Sequence, residues 1–308
     1  MDKIKKILLM ENKVFEWIHV GTLVIIFIIS IILSIEIYWN VRHKIENEEP
    51  LNNIEIIEDN DTDETQSKTY EDEEVLINPG KGWILYNNKE TDKYNDVISV
   101  GYTRVDWSDI EEEEGIYNWS IIDSRIENYA RKGKKYSFGV LCASSSSDKE
   151  YVTPKWVFDA GAEYYTYNNQ EKGIIQKIPV WTDKIFLEKQ NNFIKALSER
   201  YDGNENIAFI DIRSYGNFGE QHLGTIGGKY LTSDELQELY LKPYSETFSK
   251  TLLVSPCGES RYNSAYSWGI GHGISLRRDG IFKWSDGSEC LMAYGKLPTV
   301  FEYTADYN

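Results

Sequence analysis

IAFIDIRSYGNFGEQH, residues 207–222, begins as an apolar run and ends in a glycine-punctuated loop around one carboxylate. In an extended strand successive side chains point to opposite faces. Ala208, Ile210 and Ile212 therefore share one face, and Phe209, Asp211 and Arg213 share the other. A strand buried in an open parallel sheet is apolar on both faces, and this one is not. The same division recurs in ISVGYTRVDW (98–107), where Thr103, Val105 and Trp107 oppose Tyr102, Arg104 and Asp106. It recurs again in GISLRRDG (273–280), where Ile274 and Leu276 oppose Ser275, Arg277 and Asp279. Apolar faces turned to helices and charged faces turned to each other describe the lumen of a closed barrel, or its mouth.

Working outward from these runs, β-branched or aromatic segments alternate with helical ones. Further strands are expected in 82–88, 134–144, 251–258 and 298–304. Helices are expected near 120–132, 182–201 and 233–248, the last despite Pro243, and the stretch between 145 and 181 reads as a long loop. Seven strands in such alternation imply a parallel sheet, and specifically an α/β (β/α)8 TIM-type barrel that stops after its seventh strand. The absence of GxGxxG after the first strand speaks against a dinucleotide-binding fold.

The chain has 308 residues and a net charge of −17. That acidity argues against a nucleic-acid partner, which would be held by clustered Lys and Arg. Cys142, Cys257 and Cys290 lack metal-ligand spacing and read as buried thiols, and the four histidines form no zinc pattern, so no metal site is expected. Residues 17–39 are apolar, long enough to cross a bilayer, and preceded by Lys3, Lys5, Lys6 and Lys13. They read as a transmembrane signal anchor behind a cytoplasmic tail (1–16), in preference to a cleaved signal peptide. Residues 40–76 are acidic and polar and read as a disordered linker. The remainder, 77–308, is then an extracellular barrel domain, incomplete at its C-terminus, on a single-pass cell-membrane protein.

Active sites of such barrels lie at the C-terminal ends of the strands. Glu220 follows the fourth run and Glu302 lies in the seventh, sharing a face with Val300 and Thr304. Two carboxyl groups flanking one bond are what glycoside hydrolysis requires. Each has a plainer reading, Glu220 as a helix cap or partner of Arg213, and Glu302 as a partner of Arg104 or Arg277. Trp83, Tyr86, Trp107, Trp156 and Trp181 are candidate sugar platforms, with packing the better reading for Trp107.

YTRVDWSDIEEEEGIYNWSIID, 102–123, resembles the second-strand segment of family-42-type β-galactosidases. NPGKGW (78–83), TPKWVFDAGA (153–162) and FIDIRSYGNFGEQH (209–222) are similar to the barrel proteins grouped as domain of unknown function 4832, which look like relatives of clan A glycoside hydrolases. The resemblance covers about residues 77–308. It implies a retaining O-glycosyl hydrolase without cofactor, acting on a polysaccharide or oligosaccharide. Glu220 would be its acid/base, Glu302 its nucleophile, Arg104 the residue orienting that nucleophile, and Asn217 and His222 substrate contacts. The pattern departs in two places: Gly219, not Asn, precedes Glu220, with Asn217 two positions further back, and the EEEEG turn (111–115) lacks the proline often found there. The alternatives are a barrel that binds carbohydrate without cleaving it and an inactive truncated product.

Overall fold

The structure, a computed structural model, describes residues 82–86 and 96–303, all within one compact unit, Tyr70–Asn308. The expected tail, membrane span and linker (1–76) lie outside the described residues. Among the described residues no helix is long and apolar enough to cross a membrane.

Seven strands form one parallel sheet in chain order: β1 (Trp83–Tyr86), β2 (Ile98–Asp106), β3 (Lys135–Leu141), β6 (Ile207–Asp211), β7 (Leu253–Pro256), β8 (Ile274–Ile281) and β9 (Val300–Tyr303). Each falls inside or overlaps a run marked by the sequence. Sequential order with every pair parallel is the arrangement that repeated βα units produce, since each crossover returns the chain to the same end of the sheet.

The crossovers carry α1 (Trp107–Ile110), α2 (Ser120–Ala130), α3 (Lys155–Asp159), α4 (Lys184–Tyr201), α5 (Ser233–Leu236), α6 (Lys242–Thr247) and α7 (Asn263–Gly271). The longest, α4, starts where Asp183 accepts a hydrogen bond from the Phe186 amide at 2.8 Å. It buries Phe186, Phe193, Ile194, Leu197 and Tyr201 at helical spacing, and full burial of a large apolar side chain stabilises by about 1.5–3 kcal/mol. Pro243 is accommodated because a π-helical turn, Gln237–Leu241, joins α5 to α6 and leaves the proline in the first turn of α6.

The 145–181 stretch is not the structureless loop expected. It contains α3 and an antiparallel hairpin, β4 (Tyr164–Asn169) with β5 (Ile174–Pro179). Gln176 of this hairpin is buried, and its amide nitrogen donates to the carbonyls of Ser144, Ser147 and Lys149, tying the hairpin to the segment after β3.

Strand parity holds except at Ala208, which packs against the cluster on the face opposite Ile210 and Ile212. Val105, Ile210, Ile212, Ile274 and Leu276 join the large core between sheet and helices, together with Trp107. Tyr102, Phe209, Val254 and Val300 form a separate small apolar cluster on the opposite face.

Candidate active site

Tyr102, Phe209 and Val300 make an apolar floor, and two residues further along each strand the same face carries Arg104, Asp211 and Glu302. Arg213, Arg277 and Asp279 complete a charged layer on that floor, and Glu220 reaches it from the segment after β6. Room for Arg213 comes from Gly139 on β3, where a Cβ would collide with the Arg213 side chain.

Four carboxylates share three guanidinium groups. Arg104 donates through Nη1 to Glu220 Oε1 (2.7 Å), and through Nη2 to Asp279 Oδ2 (3.0 Å) and Glu302 Oε2 (3.1 Å). Arg213, fully buried, donates to Asp211 Oδ2 (2.8 Å) and Asp279 Oδ2 (3.0 Å), and its Nη1 stands 3.5 Å from Glu220 Oε1. Arg277 donates to Asp279 Oδ1 (2.5 Å) and to Glu302, and its guanidinium covers the Tyr102 ring at 4.6 Å. Tyr102 Oη donates to Asp211 Oδ2 (2.6 Å) and accepts from Arg104 Nε (3.2 Å). The facing oxygens of Glu220 and Glu302 are thus separated by one guanidinium and two hydrogen bonds, inside the span of roughly 10 Å that two-carboxylate glycosidases use.

Glu220 is placed by an unusual backbone. A short 3-10 turn, Asn217–Gly219, precedes it, and two non-glycine residues around it, Phe218 (φ 56°) and Gln221 (φ 62°), are left-handed. Such conformations cost free energy and persist where the surroundings over-determine them. Here the buried Gln221 amide supplies that constraint, donating to Ser255 Oγ (2.8 Å) and accepting from Tyr266 Oη (2.9 Å). His222 Nε2 lies 3.2 Å from Glu220 Oε2.

The two glutamates differ electrostatically. Burial would raise the Glu220 pKa, but the His222 hydrogen bond and the charges of Arg213 and Arg104 outweigh it and hold the group below the usual carboxylate range. Glu302 is raised, by burial first and by the neighbouring Asp279 charge second, against the pull of Arg277 and Arg104. Asp279, for which three guanidiniums overcome burial, is held far down. Of Glu220, Asp279 and Glu302, only Glu302 is shifted upward. A pair of carboxyls pushed in opposite directions is the arrangement that acid–base chemistry uses. The two shifts run opposite to the roles implied by the family resemblance, in which Glu220 carries the proton and Glu302 is ionised.

The two carboxylates also open on different spaces. Glu302 lines a cavity of about 440 Å³ with Trp83, Tyr86, Tyr102 and Tyr303. Glu220 lines one of about 190 Å³ with His222, Cys257, Arg278 and Asp279.

Of the residues singled out from sequence, Arg104, Glu220, His222 and Glu302 come together, and Trp83 and Tyr86 are exposed on β1 beside them, with the Arg104 guanidinium 5.5 Å from the Tyr86 ring centre. Three others are placed elsewhere. Trp181 is buried edge-on to Phe186 and Tyr215, with no face free for a sugar. Trp156 packs edge-on to Trp107 and donates to the Glu111 carbonyl (3.0 Å). Asn217 is buried, and its amide is occupied by Ser145, accepting from the backbone at 2.8 Å and donating to Oγ at 3.0 Å. Asp279, bonded to all three arginines, went unselected by sequence reasoning, although its place on the charged face of GISLRRDG was the available signal. Among the described residues no cluster of His, Cys, Asp and Glu is arranged to hold a metal ion.

No curated protein sequence matches this chain. The structure is similar to endo-glycoceramidase II from Rhodococcus sp. at 11% identity, covering 68% of this chain and 66% of that one, with a TM-score of 0.41. It is similar to a β-galactosidase from the psychrophilic Marinomonas ef1 (14%, 72% and 40%, TM-score 0.38) and to an exo-β-1,4-mannosidase from Opitutaceae bacterium strain TAV5 (13%, 59% and 31%, TM-score 0.40). The chain thus spans just under two thirds of the first of these proteins and less than half of the other two, and at such scores the likenesses carry no functional weight. Residues 89–218 match the Glyco_hydro_42 family model, described as beta-galactosidase. That match is less than half of the chain; it takes in Arg104 and ends two residues before Glu220. Over this stretch the chain is glycoside-hydrolase-like.

Proposed function

We propose that the chain is a glycan-acting hydrolase in which Glu220 and Glu302 form the working carboxylate pair. The observation that carries this reading is the convergence of both glutamates, from different strand ends, on the two terminal nitrogens of Arg104. The parallel sheet is read as seven strands of a (β/α)8 TIM-type barrel, and the exposed Trp83 and Tyr86 as the sugar platform beside Glu302. A retaining mechanism, with Glu220 as proton donor and Glu302 as nucleophile, follows from the resemblance to clan A enzymes and to the domain of unknown function 4832 group.

A second reading, carbohydrate binding without cleavage, is favoured by one observation: Glu220 is held ionised by Arg104 and Arg213 and opens on a different cavity from Glu302. Full-length protein assayed on aryl β-galactosides and a polysaccharide panel separates the two. Turnover that disappears in Glu302→Gln supports the hydrolase; glycan retention without turnover supports the binder. Azide added to Glu220→Ala and Glu302→Ala then assigns the roles in a retaining enzyme. The acid/base variant returns a glycosyl azide of retained configuration, and the nucleophile variant one of inverted configuration.

Residues 17–39 are proposed to anchor the chain with residues 77–308 outside the cell. Full-length chain should stay with membranes through an alkaline wash, and its C-terminal domain should be cut by protease added to intact cells. Protection of that domain would reverse the orientation.

A further inference from the structure

Cys257 and Cys290 are 33 positions apart in the chain, yet their sulfurs lie 3.9 Å apart. Cys257 directly follows β7, with its amide donating to the Arg277 carbonyl of β8 at 2.8 Å. Cys290 sits in the 3-10 turn Ser288–Ala293, within the connection from β8 to β9. Both thiols are buried, at 6% and 4% exposure. The third cysteine, Cys142, belongs elsewhere: it follows β3 and accepts a hydrogen bond from Gln190 of α4 at 3.4 Å. The fold therefore selects one pairing out of three.

We propose that Cys257 and Cys290 form a disulfide that staples the β8–β9 connection to the end of β7. A bonded pair needs its sulfurs about 2 Å apart. The remaining approach falls to rotation of the two side chains and movement of the turn carrying Cys290, whose neighbour Leu291 faces solvent. The oxidant is a small-molecule disulfide such as oxidised glutathione. The Cys290 thiolate attacks one of its sulfurs and expels a thiolate; the Cys257 thiolate then attacks the mixed disulfide at the Cys290 sulfur and expels the second. Two protons leave the protein and the oxidant is reduced to two thiols. The Cys290 thiol is held below its ordinary pKa by the hydrogen bond from Cys257, and Cys257 is raised through the same bond and by burial, which suits Cys290 as the attacking sulfur.

The bond would act on the wall of the Glu220 cavity. Cys257 lines that cavity, and so does Arg278, which donates to Glu289, the residue next to Cys290, at 3.1 Å. None of this depends on the glycosidase reading, since the sulfur geometry is independent of any turnover.

The test uses the full-length chain in detergent, equilibrated near its melting temperature with reduced and oxidised glutathione, then unfolded in iodoacetamide and digested for mass spectrometry. The expected result is a linked Cys257–Cys290 peptide and a single alkylated cysteine, Cys142. Reduction with dithiothreitol should lower the melting temperature by about 5–10 °C, and Cys257→Ser with Cys290→Ser should remove that response. Three alkylated cysteines, or any link through Cys142, would overturn the proposal. The mass readout on the unmutated chain decides the question even if the double variant does not fold.

Discussion

Arg104 holds the two glutamates in register, and its geometry explains why arginine stands there. A guanidinium presents two terminal nitrogens in a fixed plane, so one side chain meets Glu220 on one nitrogen and Asp279 and Glu302 on the other. Lysine offers one point charge and cannot span the pair. Arg104 is only 9% exposed, so removing its charge leaves partly buried carboxylates facing each other. Arg104→Ala should lower the unfolding free energy by about 3–5 kcal/mol in urea titrations, as expected when one member of a buried ionic group is removed. Arg104→Lys should fall between that variant and the native chain while still losing turnover or glycan binding. A loss below about 1 kcal/mol in Arg104→Ala would mean that Arg213 and Arg277 alone neutralise the cluster. Alternation placed Arg104 and Glu302 on the charged face of their strands, and Glu220 was found by its position just past a strand end, where barrel sites gather. Neither could separate Trp181 from Trp83, since both precede or occupy ordered segments and only packing decides which ring keeps a free face.

At the scale of elements, the loops after the strands decide whether the site exists. Gly219 is left-handed (φ +66°), and a Cβ there would collide with the backbone of Arg213. Neither partner is a flexible side-chain tip, so Gly219→Ala should destabilise by about 2–4 kcal/mol and displace Glu220, seen as a lower urea midpoint and lost function together. A second joint lies at the C-terminal end of α4. The Asp202 carboxylate accepts from the backbone amides of Ser249, Lys250 and Thr251 and from Ser249 Oγ at 2.9–3.0 Å, fixing the entry to β7. Burial would raise its pKa, but those donors outweigh it and bring the group down to about 2. A depressed carboxylate contributes stability that is complete above its unfolded value of 3.8 and is lost as pH falls through about 2. Asp202→Asn should therefore flatten the fall in melting temperature between pH 4 and pH 2; an unchanged slope would assign the acid sensitivity to other carboxylates. The seven sheet strands were legible because each lies in a compact β-branched or aromatic run. The β4–β5 hairpin was not, because YYTYNN and IIQKIP are half exposed and carry polar residues on both faces, which weakens any period-two signal.

Across the whole molecule, charge is distributed by depth. The chain carries 33 Lys and Arg against 50 Asp and Glu, and three of its arginines lie among the carboxylates of the charged cluster. Those three arginines are matched by four carboxylates, so outside the cluster acids still outnumber Lys and Arg, and the excess repels itself. The buried cluster and the acidic surface respond differently to salt. Exposed charges are screened over about 10 Å at 0.1 M ionic strength, whereas the largely buried pairs of the cluster are screened much less. Added sodium chloride should then relieve the surface repulsion without loosening the buried cluster. The melting temperature of the full-length protein should rise by a few degrees between about 0.02 M and 0.3 M salt and level off beyond that. Sodium chloride and sodium sulfate matched for ionic strength should give the same rise over this range if screening is the cause, because preferential exclusion by sulfate grows only at higher concentration. A melting temperature that falls with salt would mean that surface ion pairs such as Lys149 with Asp106 and Asp109 contribute more to stability than the net repulsion removes.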